Sequence, residues 1–230
     1  MPGYIIHLSA AKELVPLLQQ QKLLKTPEDI NAFLVSALMP DSASDKTATH
    51  YRQTDDTRIQ IRYPQPWRLA ERYPHLIQTP AGLGYLFHLY TDYLFYQEYL
   101  CRHIKLTDSD SKPQVCKDQI EQIILSDFNR TLYDGLSLFR ENRLYHDYTI
   151  LNALLEKRYQ LTYQFSPVEN PGFEELDYSR FSIIQEAMIR YSEESKHLTS
   201  HETFYLKPEP LFDFIQTAGR RFLNEYPYYL

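Results

Sequence analysis

Along this chain apolar residues recur at helical rather than strand spacing. Leu14, Leu17, Leu18 and Leu24 keep that rhythm, and Ser9 as N-cap with Glu13 behind it predicts a helix over residues 9–24. Thr26-Pro27-Glu28-Asp29 predicts the next start: a capping hydroxyl, proline at the first position, then acids facing the positive end of the helix dipole. That helix carries NAFLVSAL and stops at Met39-Pro40. Residues 40–66 are polar and proline-bounded, a long loop with a short extended piece at RIQIRY. WRLAERYPHL predicts a short helix over 67–76, and GYLFHLYTDYLFYQEYL falls inside a long apolar helix over 80–103. Further helices are predicted over 115–139, 144–158, 173–195 and 209–225, with breaks at LTDSDSKPQ (106–114) and FSPVENPG (165–172). The sum is an all-α fold, a single multi-helix domain of six or seven helices over residues 1–230. Residues 1–155 hold the candidate chemistry, and 156–230 form a C-terminal helical extension.

Composition sharpens this picture. Only 6 glycines and few alternating β-branched runs favour helices over sheets, while 20 tyrosines call for buried rings with polar partners. The formal charge of −6, with basic residues scattered, argues against a duplex nucleic-acid partner. A small phosphodiester substrate stays compatible with it if metal ions supply positive charge. Cys101 and Cys116 form neither a disulfide framework nor a CxxC site. The N-terminus lacks the basic and apolar regions of a secretion signal, and no run of 18 apolar residues predicts a membrane anchor, so a cytoplasmic setting is expected.

Four groups of residues could carry chemistry. His88 and Asp92, four apart, share one face of an apolar helix, a spacing that suits metal ligation and equally a buried hydrogen-bonded pair. Asp41 follows a helix-ending proline and His50 comes nine residues later; a ligand pair or ordinary turn residues both fit. His7, in GYIIHL, is a ligand candidate or a satisfied core histidine. His146-Asp147 could reach one metal near a helix end, or simply sit on an amphipathic helix. Tyr85, Tyr96 and Tyr99 lie near the His88 stripe, as pocket lining or as core.

MPGxIIH, LMPD, DKxxTHY, GYLFHLYTD and YHDYxxLN together resemble the bacterial zinc-dependent phospholipase C-like hydrolases. These are grouped with secreted phospholipases C and single-strand-specific nucleases in one all-helical superfamily. The resemblance covers residues 1–155 and lies in the order and spacing Asp…His…HxxxD. It implies Asp41, His50, His88 and Asp92 as ligands of a first metal, Asp92 as a bridging carboxylate and His7 beside it. Two features depart from the secreted members. Those use a processed N-terminal amino group as ligand, and they carry a further HxxxE where this chain has His146-Asp147 and Ile150. The departures favour one well-formed site, or two metals with a substituted set that includes Asp147.

Zn²⁺ is the implied cofactor, and two histidines with two carboxylates also suit Mn²⁺, Fe²⁺ or Ni²⁺. The implied reaction is hydrolysis of a small phosphoester by metal-activated water, with Asp41 or Asp92 to orient or deprotonate that water. A second enzymatic reading takes His146-Asp147 as an HD-type phosphohydrolase signature, needing His88 or His103 and Asp177 or Asp213 to converge. A third, of another class, is a helical binding or scaffold protein with a structural or vestigial metal site.

Overall fold

The computed structural model describes residues 3–43, 45–52, 63–112, 119–133, 143–198 and 202–230. In chain order it builds α1 (Tyr4–Gln20), α2 (Pro27–Ser36), a 3₁₀ turn (Met39–Ser42), α3 (Lys46–Thr49), α4 (Pro66–Arg72) and α5 (Pro80–Leu94). A π-helical stretch, Phe95–Leu100, and α6 (Cys101–His103) continue α5 directly. Three short strands come next: β1 (Ile104–Thr107), β2 (Gln122–Leu125) and β3 (Arg130–Leu132). The chain closes with α7 (Arg143–Tyr159), α8 (Phe181–Lys196) and α9 (Pro208–Glu225). The protein is mostly helical, as the apolar spacing predicts.

α1 and α5 sit at the centre. Residues 5–11 of α1 and 81–92 of α5 are buried without interruption, the mark of interior helices rather than surface ones. α2 lies along α5, and Gly84 makes that approach possible: a Cβ there would come within 2.2 Å of the Phe33 carbonyl oxygen. Around this centre pack α7, α8 and α9. The last shows a clean amphipathic stripe, Leu211, Ile215, Ala218, Gly219 and Phe222, laid on α1. Core residues from Ile5 to Tyr226 form one cluster, so residues 156–230 complete the core rather than extend it. Among the described residues, no helix is long and apolar enough to cross a membrane.

Local chemistry explains most boundaries. Thr26 and Asp29 form a reciprocal capping box at the start of α2, as their spacing predicts. Thr79 caps α5 by accepting from the Gly82 amide. α1, however, begins at Tyr4 and not after Ser9. Ser9 lies inside the helix, where its hydroxyl donates to the Ile5 carbonyl (2.7 Å). YIIHL shows no exposed polar stripe, since even His7 is buried, so a serine behind it looks like a cap.

The helix predicted over 115–139 is the larger correction. Within it, residues 122–125 and 130–132 are strands of an antiparallel meander, ordered β1-β2-β3, with Ile104 opposite Leu125 and Ile123 opposite Leu132. Asn129, in the left-handed region (φ 48°), makes the turn between β2 and β3. Ile123 and Leu125 point inward on alternate positions, a strand pattern only four residues long. The helix predicted from 173 starts at Phe181, because Asn170 ties residues 170–176 into a turn through the backbone of Phe173 and Leu176. The extended piece predicted at RIQIRY falls, but for Tyr63, outside the described residues.

Candidate metal centre

Five of the sequence-predicted residues meet at one buried point. α1 contributes His7, α5 contributes His88 and Asp92 one turn apart, and the segment after α2 brings Asp41 and His50. His50, His88 and Asp92 are 0% exposed, His7 2% and Asp41 7%. The His50 and His88 Nε2 atoms stand 3.1 Å apart. His50 Nε2 lies 3.4 Å from Asp92 Oδ2 and 3.6 Å from Asp41 Oδ1, and His7 Nε2 lies 3.2 Å from Asp92 Oδ1. The rings of His7 and His88 stack at 3.9 Å.

Hydrogen bonds fix where the imidazole protons sit. His88 Nδ1 is 2.9 Å from the Ala37 carbonyl oxygen, which can only accept, so Nδ1 carries the proton and Nε2 a lone pair. Gly84, one turn earlier, lets α5 come close enough for this bond. His50 Nδ1 faces Thr49 Oγ1 at 3.0 Å, and that hydroxyl already donates to the Pro40 carbonyl at 2.9 Å. The hydroxyl must therefore accept from His50, whose Nε2 is also left with a lone pair. Two lone pairs facing at 3.1 Å make no hydrogen bond with each other.

Electrostatics agree with that assignment. Burial pushes His50 down to about 4 against the upward pull of Asp92 and Asp41. Burial, reinforced by His7, drives His88 well below the ordinary histidine range. At the carboxyls burial acts upward, but His88 and Lys46 outweigh it at Asp41, and His7 and His88 outweigh it at Asp92. Both stay below the usual carboxylate range. Lys46 Nζ holds Asp41 Oδ1 at 2.6 Å. Asp92 has no lysine: His7 Nε2 stands 3.2 Å from its Oδ1, but neither Asp92 oxygen nor His7 Nε2 makes a well-formed hydrogen bond. A buried carboxylate in that state costs several kcal/mol unless another charge meets it.

A cation fits these groups. Two donors on a tetrahedral zinc with bonds near 2.0–2.1 Å are separated by roughly 3.3 Å. The close donor separations here run from 3.1 to 3.6 Å. Two triads bring their ligand atoms within 4.8 Å of one another: His7, His88, Asp92 and Asp41, His50, His88. Both need His88, and His88 has one free nitrogen, so the two triads cannot both be filled. They describe one centre, with Asp92 turning one oxygen to His50 and the other to His7.

Asp147 is not part of it, which corrects the substituted set drawn from its position. Its Oδ1 accepts the Phe204 amide (2.7 Å) and its Oδ2 those of Tyr205 and Leu206 (2.7 and 2.9 Å), clamping the segment before α9. The other members of the HD-type set do not converge with it: only His103 and Asp213 border a common cavity, which Asp147 does not line. His146 packs on the Phe204 ring, His103 pairs with Asp127 at 2.8 Å, Asp177 caps Ser179, and Asp213 lines a separate cavity of about 360 Å³ with Tyr99, Phe214 and Arg221. None of the five clustered residues borders that cavity.

The tyrosines divide likewise. Burial and then Asp92 raise Tyr96, one turn beyond that carboxylate, whereas Tyr85 donates to the Thr49 carbonyl at 2.6 Å and Tyr99 packs against Phe95 and Phe214. Sequence reasoning missed Lys46, Thr49 and the Ala37 carbonyl. Lys46 and Thr49 lie in DKTATH itself, and only the fold shows what their side chains grip. Comparison of the chain with protein-family models, with curated proteins and with solved structures returns no match.

Proposed function

We propose that this protein holds one transition-metal ion, zinc by preference, between His50 and His88, and uses it to hydrolyse a small phosphoester. The observation that carries the reading is the pair of Nε2 lone pairs 3.1 Å apart, with both Nδ1 protons committed elsewhere. Such an arrangement repels unless a cation lies between the donors. Two flanking ionised carboxylates add charge that a divalent ion neutralises. The motif resemblance to zinc-dependent phospholipase C-like hydrolases supports the same ligands.

When bound, the ion would lower the pKa of a water and draw charge from a phosphoryl oxygen. The chain's own groups supply the rest. Ala37 and Thr49 keep the two rings in the ligating tautomer. Asp92 faces His7 from one oxygen and His50 from the other, adding negative charge beside the ring nitrogens. Asp41 is the member of the set nearest solvent, and its ionised carboxylate can take a proton from an incoming water. Lys46, 34% exposed at that rim, is placed to meet an anionic phosphoryl oxygen.

A second reading, a purely structural metal, is favoured by one observation: three of the five ligands have no exposure at all. Turnover separates the two. Zinc-loaded protein is expected to cleave bis(4-nitrophenyl) phosphate, and Asp41→Asn to lower the rate at least tenfold while zinc is retained. Bound zinc with no cleavage under Zn²⁺, Mn²⁺ or Fe²⁺ would leave the structural reading standing.

A further inference from the structure

We infer that Glu175, far away in sequence from every ligand, is a positioning residue that sets the metal affinity by anchoring the turn that carries His50. The inference rests on the metal-centre reading above. His50 ends a helix of a single turn, α3, which cannot hold itself in place. The next residue is harder still to hold. Tyr51 sits in the left-handed region (φ 50°), a conformation that an aromatic residue adopts only when its surroundings impose it.

Those surroundings converge on one carboxylate. The Tyr51 hydroxyl donates to Glu175 Oε1 and the Tyr73 hydroxyl to Oε2 at 2.8 Å. The Tyr85 hydroxyl lies 3.1 Å from Oε1 and 2.6 Å from the Thr49 carbonyl, so its single proton goes to the nearer oxygen and pins the backbone just before His50. Glu175 thus grips Tyr51, the residue after His50, while Tyr85 beside it holds Thr49, whose hydroxyl fixes the His50 tautomer.

Glu175 is itself well held. Phe173 inserts between Tyr73 and Tyr85, edge to face with each at 5.1 Å, and Asn170 bonds the Phe173 amide and the carbonyls of Phe173 and Leu176. The Tyr73 hydroxyl in turn accepts the Glu174 amide at 3.1 Å. Residues 170–176 thus form a post reaching from the C-terminal part of the chain to the ligand turn. Its removal should leave His7, His88 and Asp92 in place on their helices and free His50 alone.

Zinc affinity of the full chain, measured by competition with a chromophoric chelator, tests this, with circular dichroism showing that each variant is folded. Glu175→Ala is expected to bind zinc at least tenfold more weakly than wild type, and Glu175→Gln, which keeps one accepting oxygen, to fall between. Cobalt-loaded Glu175→Ala should also show shifted d–d absorption, since a residue that merely stabilises the fold leaves the ligand field unchanged. If Glu175→Ala does not fold, Tyr51→Phe removes one hydroxyl alone and is expected to weaken zinc at least threefold. A folded Glu175→Ala, or in its place Tyr51→Phe, that binds within twofold of a zinc-binding wild type overturns this inference alone. Wild-type protein that takes up no zinc overturns the metal reading, and this inference with it.

Discussion

His50 and His88 turn their Nε2 atoms toward each other at 3.1 Å, while Thr49 and Ala37 hold the protons on the far side of each ring. Burial keeps both imidazoles neutral near pH 7, so no shared proton bridges them. The metal reading proposed above rests on that relationship.

Thr49 is the most direct handle on it. Thr49→Val keeps the side-chain shape but removes the acceptor for His50 Nδ1–H. Loss of such a partner behind a ligating histidine costs about 10- to 100-fold in metal affinity. Zinc competition measured on Thr49→Val and Thr49→Ser should show that loss for valine and most of the affinity for serine. Equal binding by both would mean that the hydroxyl does not set the tautomer.

Gly84 tests the packing that delivers His88. In Gly84→Ala the new Cβ would meet backbone, 2.2 Å from the Phe33 carbonyl oxygen and 3.0 Å from the Ala37 amide nitrogen. Backbone of two packed helices cannot step aside cheaply, and overpacking of this kind costs about 1–3 kcal/mol. Urea unfolding of metal-free Gly84→Ala should show a loss at the top of that range. Unchanged stability would show that α2 and α5 are less tightly apposed than those distances require.

Asp147 should separate stability from metal binding. Its carboxylate accepts three backbone amides, and hydrogen bonds to a charged acceptor contribute about 1.5–3 kcal/mol each. Asp147→Ala is expected to lose about 3 kcal/mol or more in chemical denaturation, with its zinc stoichiometry intact. Loss of zinc from folded Asp147→Ala would restore Asp147 as a ligand and revive the HD-type reading.

Acid should destabilise the metal-free protein in a defined window. His50 titrates near 6.5 when unfolded and near 4 when folded, so between those values the unfolded chain binds more protons. Stability present above pH 6.5 is therefore lost as pH falls toward 4, by about 3 kcal/mol from this group alone. The depressed His88 acts in the same direction. Denaturation of chelator-treated protein at about pH 7, 5.5 and 4.5 reads the slope, and a flat or rising profile would contradict neutral buried histidines.

How much of the fold and of the site is legible in the sequence depends on the range of each signal. Thr26-Pro27-Glu28-Asp29 and the i, i+4 pair His88–Asp92 are local signals, and local structure obeys them. Asp41 and His50 join the set through motif order, and His7 through the same resemblance. The start of α1 is hidden because residues 5–11, His7 and Ser9 included, are buried all round and leave no polar face to give the phase. The β-meander is hidden because QIIL becomes a strand only by pairing with IKLT, 15 residues upstream at closest register. Asp147 misleads for the reverse reason: a carboxylate beside a histidine has no visible partner until Phe204, Tyr205 and Leu206 fold back on it. Glu175 lies beyond any motif, since its role exists only where three tyrosines from separate segments converge.

The central claim is decided most directly by zinc stoichiometry and the stability that goes with it. Protein stripped with chelator and reloaded should take up one zinc per chain, and a thousandfold excess over Kd should raise unfolding free energy by about 4 kcal/mol. His88→Ala, tested in parallel, should remain folded, bind no zinc and show no such rise. Wild-type protein that takes up no zinc, or a His88→Ala protein that binds it as wild type does, would contradict the account.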